Sequence, residues 1–256
     1  MEEKVALSVV VLTKNEQDCI AQCLDSVKWA DEIIVVDDES IDRTVEIARR
    51  YTDKVCIKKM EVEGRHRNWS YAKARNDWVL SLDADEVVSD ELKEEIRSAV
   101  SQADFVAFSV PLRNYISNYW VRYGGWYPAS KVRLFRKDKF KYEEVEVHPR
   151  VFIQGACGHL KSDIIHRGYP DLGHFLNSVN RQSSLEAIKW INTKRKMSLL
   201  HAFWRAVDRF FRRYLRKKGY KDGLYGFIVA YFDSLYQILS YAKYVEMKNK
   251  LKGRGR

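Results

Sequence analysis

Three carboxylates, Asp83, Asp85 and Glu86, fall within four residues at the end of the apolar run Trp78-Val79-Leu80-Ser81-Leu82. An Asp-x-Asp pair suits a hard divalent cation that also holds phosphate oxygens. Such an ion takes one or two carboxylates and leaves its other positions to ligand and water. Acids this close also crowd one another, and without a cation like charge raises the pKa of one of them. The competing reading is structural, with the acids capping a turn. A second group lies further on, where Glu143, Glu144, Glu146 and His148 are able to take a proton from a hydroxyl. If residues 144–147 form a strand, alternation puts Glu144, Glu146 and His148 on one face. Read structurally, the same residues make a charged edge strand. His148 and His166 are alternatively metal ligands, because imidazole and carboxylate commonly share divalent sites.

The elements that must position these groups follow from apolar patterning. Residues 78–82 cluster β-formers without helical spacing and predict a short buried strand. Ser89 with Asp90 and Glu91 predicts a helix start, a capping hydroxyl followed by first-turn acids. The carboxylates then stand where a strand leaves the sheet, the place where open α/β sheets bind ligands. Residues 7–13 (LSVVVLT) and 32–37 (EIIVVD) read as strands buried on both faces, with 54–57 a third. Asn15 is placed to cap a helix on which Ile20, Leu24 and Val27 repeat, and another helix starts near Asp42. Strands alternating with helices to about residue 100 describe a doubly wound α/β half. Beyond it come a strand at 104–112, the aromatic run NYISNYWVRYGGWYP, short strands at 132–135, 144–147 and 151–153, and helices from about residue 172. The aromatic run offers either a floor for a sugar ring or packing between two halves.

The chain has 256 residues, 46% of them hydrophobic and 13% aromatic, enough for one large domain with an appendage. Its cysteines, at 19, 23, 56 and 157, form no Cys-x-x-Cys pair and no zinc pattern, which fits a reducing compartment. No signal-peptide pattern opens the sequence, so a cytoplasmic location is expected. The net charge of +10 is concentrated: residues 194–218 hold ten Lys and Arg against Asp208 alone. That stretch reads as one amphipathic helix, with Leu200, Phe203, Val207, Phe211 and Tyr214 on one side and Arg205, Arg209, Arg212 and Arg216 on another. A basic helix with large aromatics opposite is the composition of an interfacial helix, predicting contact with an anionic membrane surface. Packing on the catalytic domain is the alternative. The tyrosine-rich segment 223–244 suits an amphipathic or homo-oligomer-packing helix better than a spanning one. Nothing in residues 1–170 resembles a nucleic-acid-reading module, so no nucleic-acid partner is expected.

TKNE (13–16), WADEIIVVDDES.DRT (29–44) and G..RNWSYAKA...WVLSLDADE (64–86) together resemble the start of family 2 glycosyltransferases. The GGWYP and RLFRK segments, Gly124 to Pro128 and Arg133 to Lys137, with the later His148 and His166, resemble its lipopolysaccharide-core branch (WaaE-like or KdtX-like). The resemblance implies an α/β GT-A fold, a Rossmann-like nucleotide-diphospho-sugar transferase domain with a C-terminal helical extension. It implies residues 1–170 as that domain, with 1–100 the nucleotide-sugar half and 101–170 the acceptor half, and 171–256 as the helical basic region. Carried over by motif, Thr13, Asn15 and Glu16 close around the base and Asp37 accepts from base or ribose. Arg67 and Asn68 face the donor, and Asp83 and Asp85 serve nucleotide and metal, Mg²⁺ or Mn²⁺. The catalytic base is sought among Glu144, Glu146 and His148, although His148 is followed by Pro149 where relatives often have Glu. The implied reaction is an inverting transfer of one sugar from a nucleotide-sugar, a UDP-sugar first, to a glycolipid or oligosaccharide hydroxyl. No Gln-x-x-Arg-Trp occurs, which favours single addition over processive synthesis. The alternative within the superfamily is a polyprenyl-phosphate sugar synthase.

Overall fold

A computed structural model describes residues 5–101, 104–145 and 150–253. They form two compact units. The first unit takes the chain up to Leu112 and then Ala129–His166; the second takes Arg113–Pro128 and everything from Arg167.

The first unit begins with β1 (Val5–Thr13), α1 (Ile20–Asp25), β2 (Ala30–Asp37), α2 (Thr44–Ala48), β3 (Val55–Ile57), α3 (Glu63–Tyr71) and β4 (Trp78–Asp83). β5 (Glu86–Val88), α4 (Asp90–Ala99) and β6 (Ala107–Val110) follow. The chain then makes a ribbon, β7 (Leu112–Ile116) and β8 (Tyr119–Trp120), before returning as β9 (Lys131–Arg136), β10 (Phe140–Tyr142), β11 (Val151–Ile153), β12 (Cys157–His159) and β13 (Ile164–Tyr169). Seven strands make the main sheet in the order β12-β6-β9-β4-β1-β2-β3. β4, β1, β2 and β3 run parallel, and β9 pairs antiparallel with both β4 and β6. Both faces of the parallel strands are covered, which is why they read as continuous apolar runs. Val9 and Val11 pack with Ile20, Leu24, Leu92 and Ile96 on one side. Val10, Ile34 and Val36 pack with Tyr71, Phe135 and Phe140 on the other. β2 and β3 lie to one side of β1 and β4 to the other, so the order reverses between β1 and β4. A crevice at the carboxyl ends of the strands is the consequence of that switch.

The second unit adds α5 (Leu172–Asn192), α6 (Leu199–Phe211) and α7 (Gly223–Gly253) to the β7–β8 ribbon. Segment 113–128, expected to belong to a domain ending at 170, groups here with the helices, and the chain divides at 166/167. The buried Asp222 carboxylate explains the grouping: it accepts the Arg122 and Tyr123 backbone N–H groups at 3.0 and 2.7 Å and the Tyr119 hydroxyl at 3.2 Å. Gly124, at φ 66°, donates its N–H to the Lys217 carbonyl and accepts from Arg213.

Two local expectations differ. α1 begins at Ile20 with no side-chain cap; Asn15 instead adopts a left-handed φ of 54° and its Oδ1 accepts the Ile41 N–H at 2.8 Å. The single helix expected over 194–218 is shorter. Lys194 has a positive φ, Ser198 caps α6, and the chain leaves α6 through a π turn at Arg212–Arg216.

Candidate functional site

Strand register alone brings the first candidates together. Thr13 of β1 lies opposite Asp37 of β2, and Leu12 lies opposite Asp83 of β4. Asp83 thus ends its strand at the switch point, and after a turn at Ala84 and Asp85 the chain enters β5. β13 pairs with β5 so that His166 lies opposite Glu86, and His166 Nε2 meets Asp85 Oδ2 at 3.1 Å.

The three carboxylates divide by environment. Asp83 Oδ1 accepts from Arg67 Nη2 at 3.3 Å, and Oδ2 from Arg133 Nη2 at 2.7 Å. Burial works against its charge, but Arg133 and then Arg67 outweigh burial and hold the carboxyl well below the usual range. Glu86 is fully buried; it accepts the Asp83 backbone N–H at 3.0 Å and a short bond from Arg133. Burial pushes its carboxyl up, against Arg133 and with the help of Asp83. Asp85 is partly exposed and is paired only with His166 among the described residues. Burial works against the His166 imidazolium, and the Asp85 carboxylate more than offsets it, so its pKa is raised.

These positions decide how a divalent cation fits. Both Asp83 oxygens already face guanidinium groups, so the expected pair of aspartate ligands reduces to Asp85, with His166 beside it. No cluster of three or more His, Cys, Asp or Glu suited to a metal occurs among the described residues. One carboxylate and one imidazole still fit an ion that takes its remaining ligands from phosphate oxygens and water. Excess negative charge supports the fit. The Glu16 carboxyl is pushed up to about 7 by burial first, then by Asp85, Asp42 and Asp83, with His166 opposing.

A pH prediction follows from Glu16. Its folded pKa lies above the unfolded value of 4.5, so it carries no penalty below that pH. The penalty grows as pH rises and is complete above about 7, moderated by the solvent that reaches this partly exposed carboxyl. Thermal melts of metal-free protein should therefore show Glu16→Gln more stable than the parent at about pH 8 and equal to it at about pH 4.5. Added Mn²⁺ should narrow the difference at the higher pH.

The other predicted residues occupy diverse roles. Thr13 is buried and its hydroxyl has no partner among the described residues. Asp37 is fully buried, with its oxygens taken by the Ser40 N–H at 2.8 Å and the Ser40 hydroxyl, so here it closes a turn. Ser40 Oγ also accepts the Asn15 N–H at 2.7 Å, and Thr44 Oγ1 accepts the Glu16 N–H at 2.8 Å, which laces the two strand-end loops together. Arg67 reaches the carboxylates from α3. Its neighbour Asn68 faces β10 instead, exchanging two bonds with the Tyr142 backbone at 2.9 and 2.8 Å. The strand expected at 144–147 is absent over 144–145: Glu143, Glu144 and Val145 belong to the connection between β10 and β11. Gly64 lets this loop approach α3, since a Cβ there would stand 1.8 Å from the Glu143 carbonyl oxygen. Glu144 is exposed and paired with Arg65 at 3.4 Å and Lys141 at 3.6 Å. Arg65 chiefly holds its carboxyl below the usual range, which disfavours it as a base. Glu146 and His148 lie outside the described residues.

Arg133 is the site residue that sequence reasoning passed over. It is 2% exposed, sits in the strand KVRLFR, and touches both Asp83 and Glu86. The available signal was a cation set among Val132, Leu134 and Phe135 in the middle of that strand.

A parallel sheet with a carboxylate group at its switch point, followed by antiparallel strands, defines a nucleotide-sugar transferase fold of the GT-A type. Residues 8–160 match the family described as Glycosyl transferase family 2, and the chain belongs to that family: it is a glycosyltransferase. It is 27% identical over 264 residues to an uncharacterised glycosyltransferase of Rickettsia typhi, covering 95% of this chain and 88% of the other. It is 23% identical over 262 residues to the lipopolysaccharide core biosynthesis glycosyltransferase LpsC of Rhizobium meliloti, covering 99% and 97%. Among solved structures, S. aureus TarS 1-349 in complex with UDP superposes with a TM-score of 0.48 at 17% identity, covering 94% of this chain and 88% of that one. Family and fold class are those expected from the sequence.

Proposed function

We propose that the chain is an inverting, metal-dependent, non-processive transferase that moves one sugar from a nucleotide-sugar, a UDP-sugar first, to a hydroxyl of a lipopolysaccharide-core-type glycolipid. The observation that carries this reading is the convergence of Asp83, Asp85 and His166 at the carboxyl ends of the strands. Sugar transfer leaves a nucleoside diphosphate behind, and a divalent cation held by Asp85 and His166 would supply Lewis-acid stabilisation of that charge. Arg67 and Arg133 fix the Asp83 carboxylate in its ionised form at the strand end, aimed by the register of β4. Donor binding falls to residues 1–100, and the base that accepts the acceptor proton to the loop between β10 and β11. The lipopolysaccharide-core acceptor rests on the likeness to LpsC over nearly the whole of both chains.

The test is a panel of UDP-, GDP- and ADP-sugars with Mg²⁺ or Mn²⁺, followed by transfer to deacylated core oligosaccharide or to polyprenyl phosphate. Saturable binding of one UDP-sugar and transfer to the oligosaccharide are expected. Transfer to polyprenyl phosphate alone would make the chain a polyprenyl-phosphate sugar synthase, and no binding of any sugar nucleotide would overturn the reading.

Peripheral attachment to the cytoplasmic face of a membrane belongs to the same proposal, with its geometry revised. Arg205 bonds Gln237 at 2.9 Å and Arg209 bonds Asp233 at 3.2 Å, so that part of the basic row packs on α7. The exposed stripe is apolar: Leu200, Phe203, Trp204, Phe211 and Leu215, joined by Leu224 of α7. Arg212, Arg216, Lys217 and Lys218 are exposed beside it. No described helix is long and apolar enough to cross a membrane. The protein should pellet with anionic vesicles at low salt and be released as salt shortens the reach of charge to about 8 Å. Leu200→Ala with Trp204→Ala should weaken pelleting at least tenfold, since burying each such side chain contributes about 1.5–3 kcal/mol. Unchanged pelleting would exclude this face.

A further inference from the structure

In the second unit, β7 and β8 form an antiparallel ribbon with Tyr115 opposite Trp120 and Ile116 opposite Tyr119. Alternation divides its side chains between two faces. Ile116 and Val121 turn inward, 0% and 1% exposed, and pack with Phe175 of α5 and Val229 of α7. Arg113, Tyr115, Trp120 and Arg122 belong to the other face. The guanidinium carbons of Arg113 and Arg122 stand 4.6 and 4.3 Å from the Trp120 ring centroid, and that of Arg167 stands 5.6 Å from the Tyr115 ring. Arg122 and Arg167 are exposed, and no carboxylate pairs with either among the described residues. Asp222, the nearby acid, spends its oxygens on backbone N–H groups and the Tyr119 hydroxyl. Trp120 Nε1 is covered and lacks an acceptor among the described residues.

We propose that this face binds an anionic sugar, one that carries a carboxylate or a phosphate, as part of the acceptor. The assignment to the acceptor rests on the transferase reading above; the binding itself does not. Arg122 and Arg167, both exposed, repel one another, and a bound anion relieves that repulsion. Guanidinium groups present planar forks that match carboxylate and phosphate, and stacking on an indole fixes the plane of the fork before the ligand arrives. The half-exposed Tyr115 ring, with one guanidinium over it, supplies a flat surface for the apolar face of a pyranose. Neither a bare anion nor a neutral sugar uses both features.

Calorimetric titration of the full chain with methyl glucuronide, glucose 6-phosphate, methyl glucoside and inorganic phosphate tests the proposal. The two acidic sugars should bind at least about tenfold more tightly than the neutral sugar or phosphate, the factor to which 1.4 kcal/mol corresponds. Arg122→Gln with Arg167→Gln should reduce acidic-sugar binding by at least about tenfold, because each charge-assisted bond exceeds that energy. Both residues are exposed, so the melting temperature should not move. Equal binding of methyl glucoside, equal binding of inorganic phosphate, or undiminished binding by the double variant would each overturn the proposal. UDP binding, followed in parallel, reports on the donor site alone: its absence beside intact glucuronide binding would defeat the transferase reading and leave this one standing.

Discussion

Asp85→Ala is expected to lower kcat for sugar transfer by about three orders of magnitude or more while leaving the fold intact. The size follows from the role proposed for Asp85 in holding a divalent cation. A cation at the departing diphosphate stabilises the transition state by several kcal/mol, and each 1.36 kcal/mol is tenfold in rate. Fold integrity follows from position. Asp85 stands in the turn between β4 and β5, is partly exposed, and makes its one side-chain hydrogen bond among the described residues to His166. Losing the carboxylate also leaves no stranded charge, because burial favours the neutral form of the His166 imidazole once Asp85 is gone. Asp85→Asn should behave like the alanine variant, because the amide keeps the shape and loses the charge. Turnover measured with Mn²⁺ and a soluble acceptor, beside a thermal melt, separates the two effects. A variant that folds and keeps more than about a tenth of parental kcat would remove Asp85 from the chemistry.

The parallel half of the sheet was legible because burial on both faces leaves a plain mark. Val9, Val10 and Val11 can all be apolar only if each face meets a covering layer. Asp83 and Asp85 were legible for a related reason: the apolar run stops, and acids follow where the chain must turn. Long-range pairing was not legible. Arg133 joins Asp83 only because β9 lies antiparallel to β4, an arrangement that local pattern does not encode. Asn68 illustrates the same limit, since a polar residue on α3 faces the Tyr142 backbone only once β10 has been placed. For α6, periodicity separated an arginine side from an apolar side but did not say which one α7 would cover. Asp233 and Gln237 decide it, by offering acceptors to Arg209 and Arg205. Glu144 lies in no strand and pairs with Arg65 and Lys141 on the surface, contacts that local pattern did not disclose.

Arg133→Met should destabilise the protein by about 3–5 kcal/mol, the range seen when one partner is removed from a buried ion pair. The methionine fills much of the same volume, so the loss is electrostatic rather than a cavity effect. Arg133 is 2% exposed and Glu86 fully buried, and the guanidinium is the cation that bonds both Glu86 and Asp83. Without it, Arg67 still reaches Asp83 Oδ1 at 3.3 Å, while Glu86 keeps only the Asp83 backbone N–H. The deficit must depend on pH in a definite direction. In the parent the depressed pKa of Asp83 contributes stability above its unfolded value, and that contribution fades as pH falls. Parent and variant should therefore differ by the full amount at neutral pH and begin to converge only as pH falls below about 4, the unfolded pKa of aspartate. At neutral pH the melting temperature should drop by roughly 10 °C, at about 2–4 °C per kcal/mol for a chain of this size. Glu86→Gln in the Arg133→Met background should restore part of the loss, because a neutral amide no longer needs the guanidinium. A deficit that stays constant as pH falls from about 4 to about 2, or that Glu86→Gln deepens, would mean that packing and not charge compensation holds Arg133 in place.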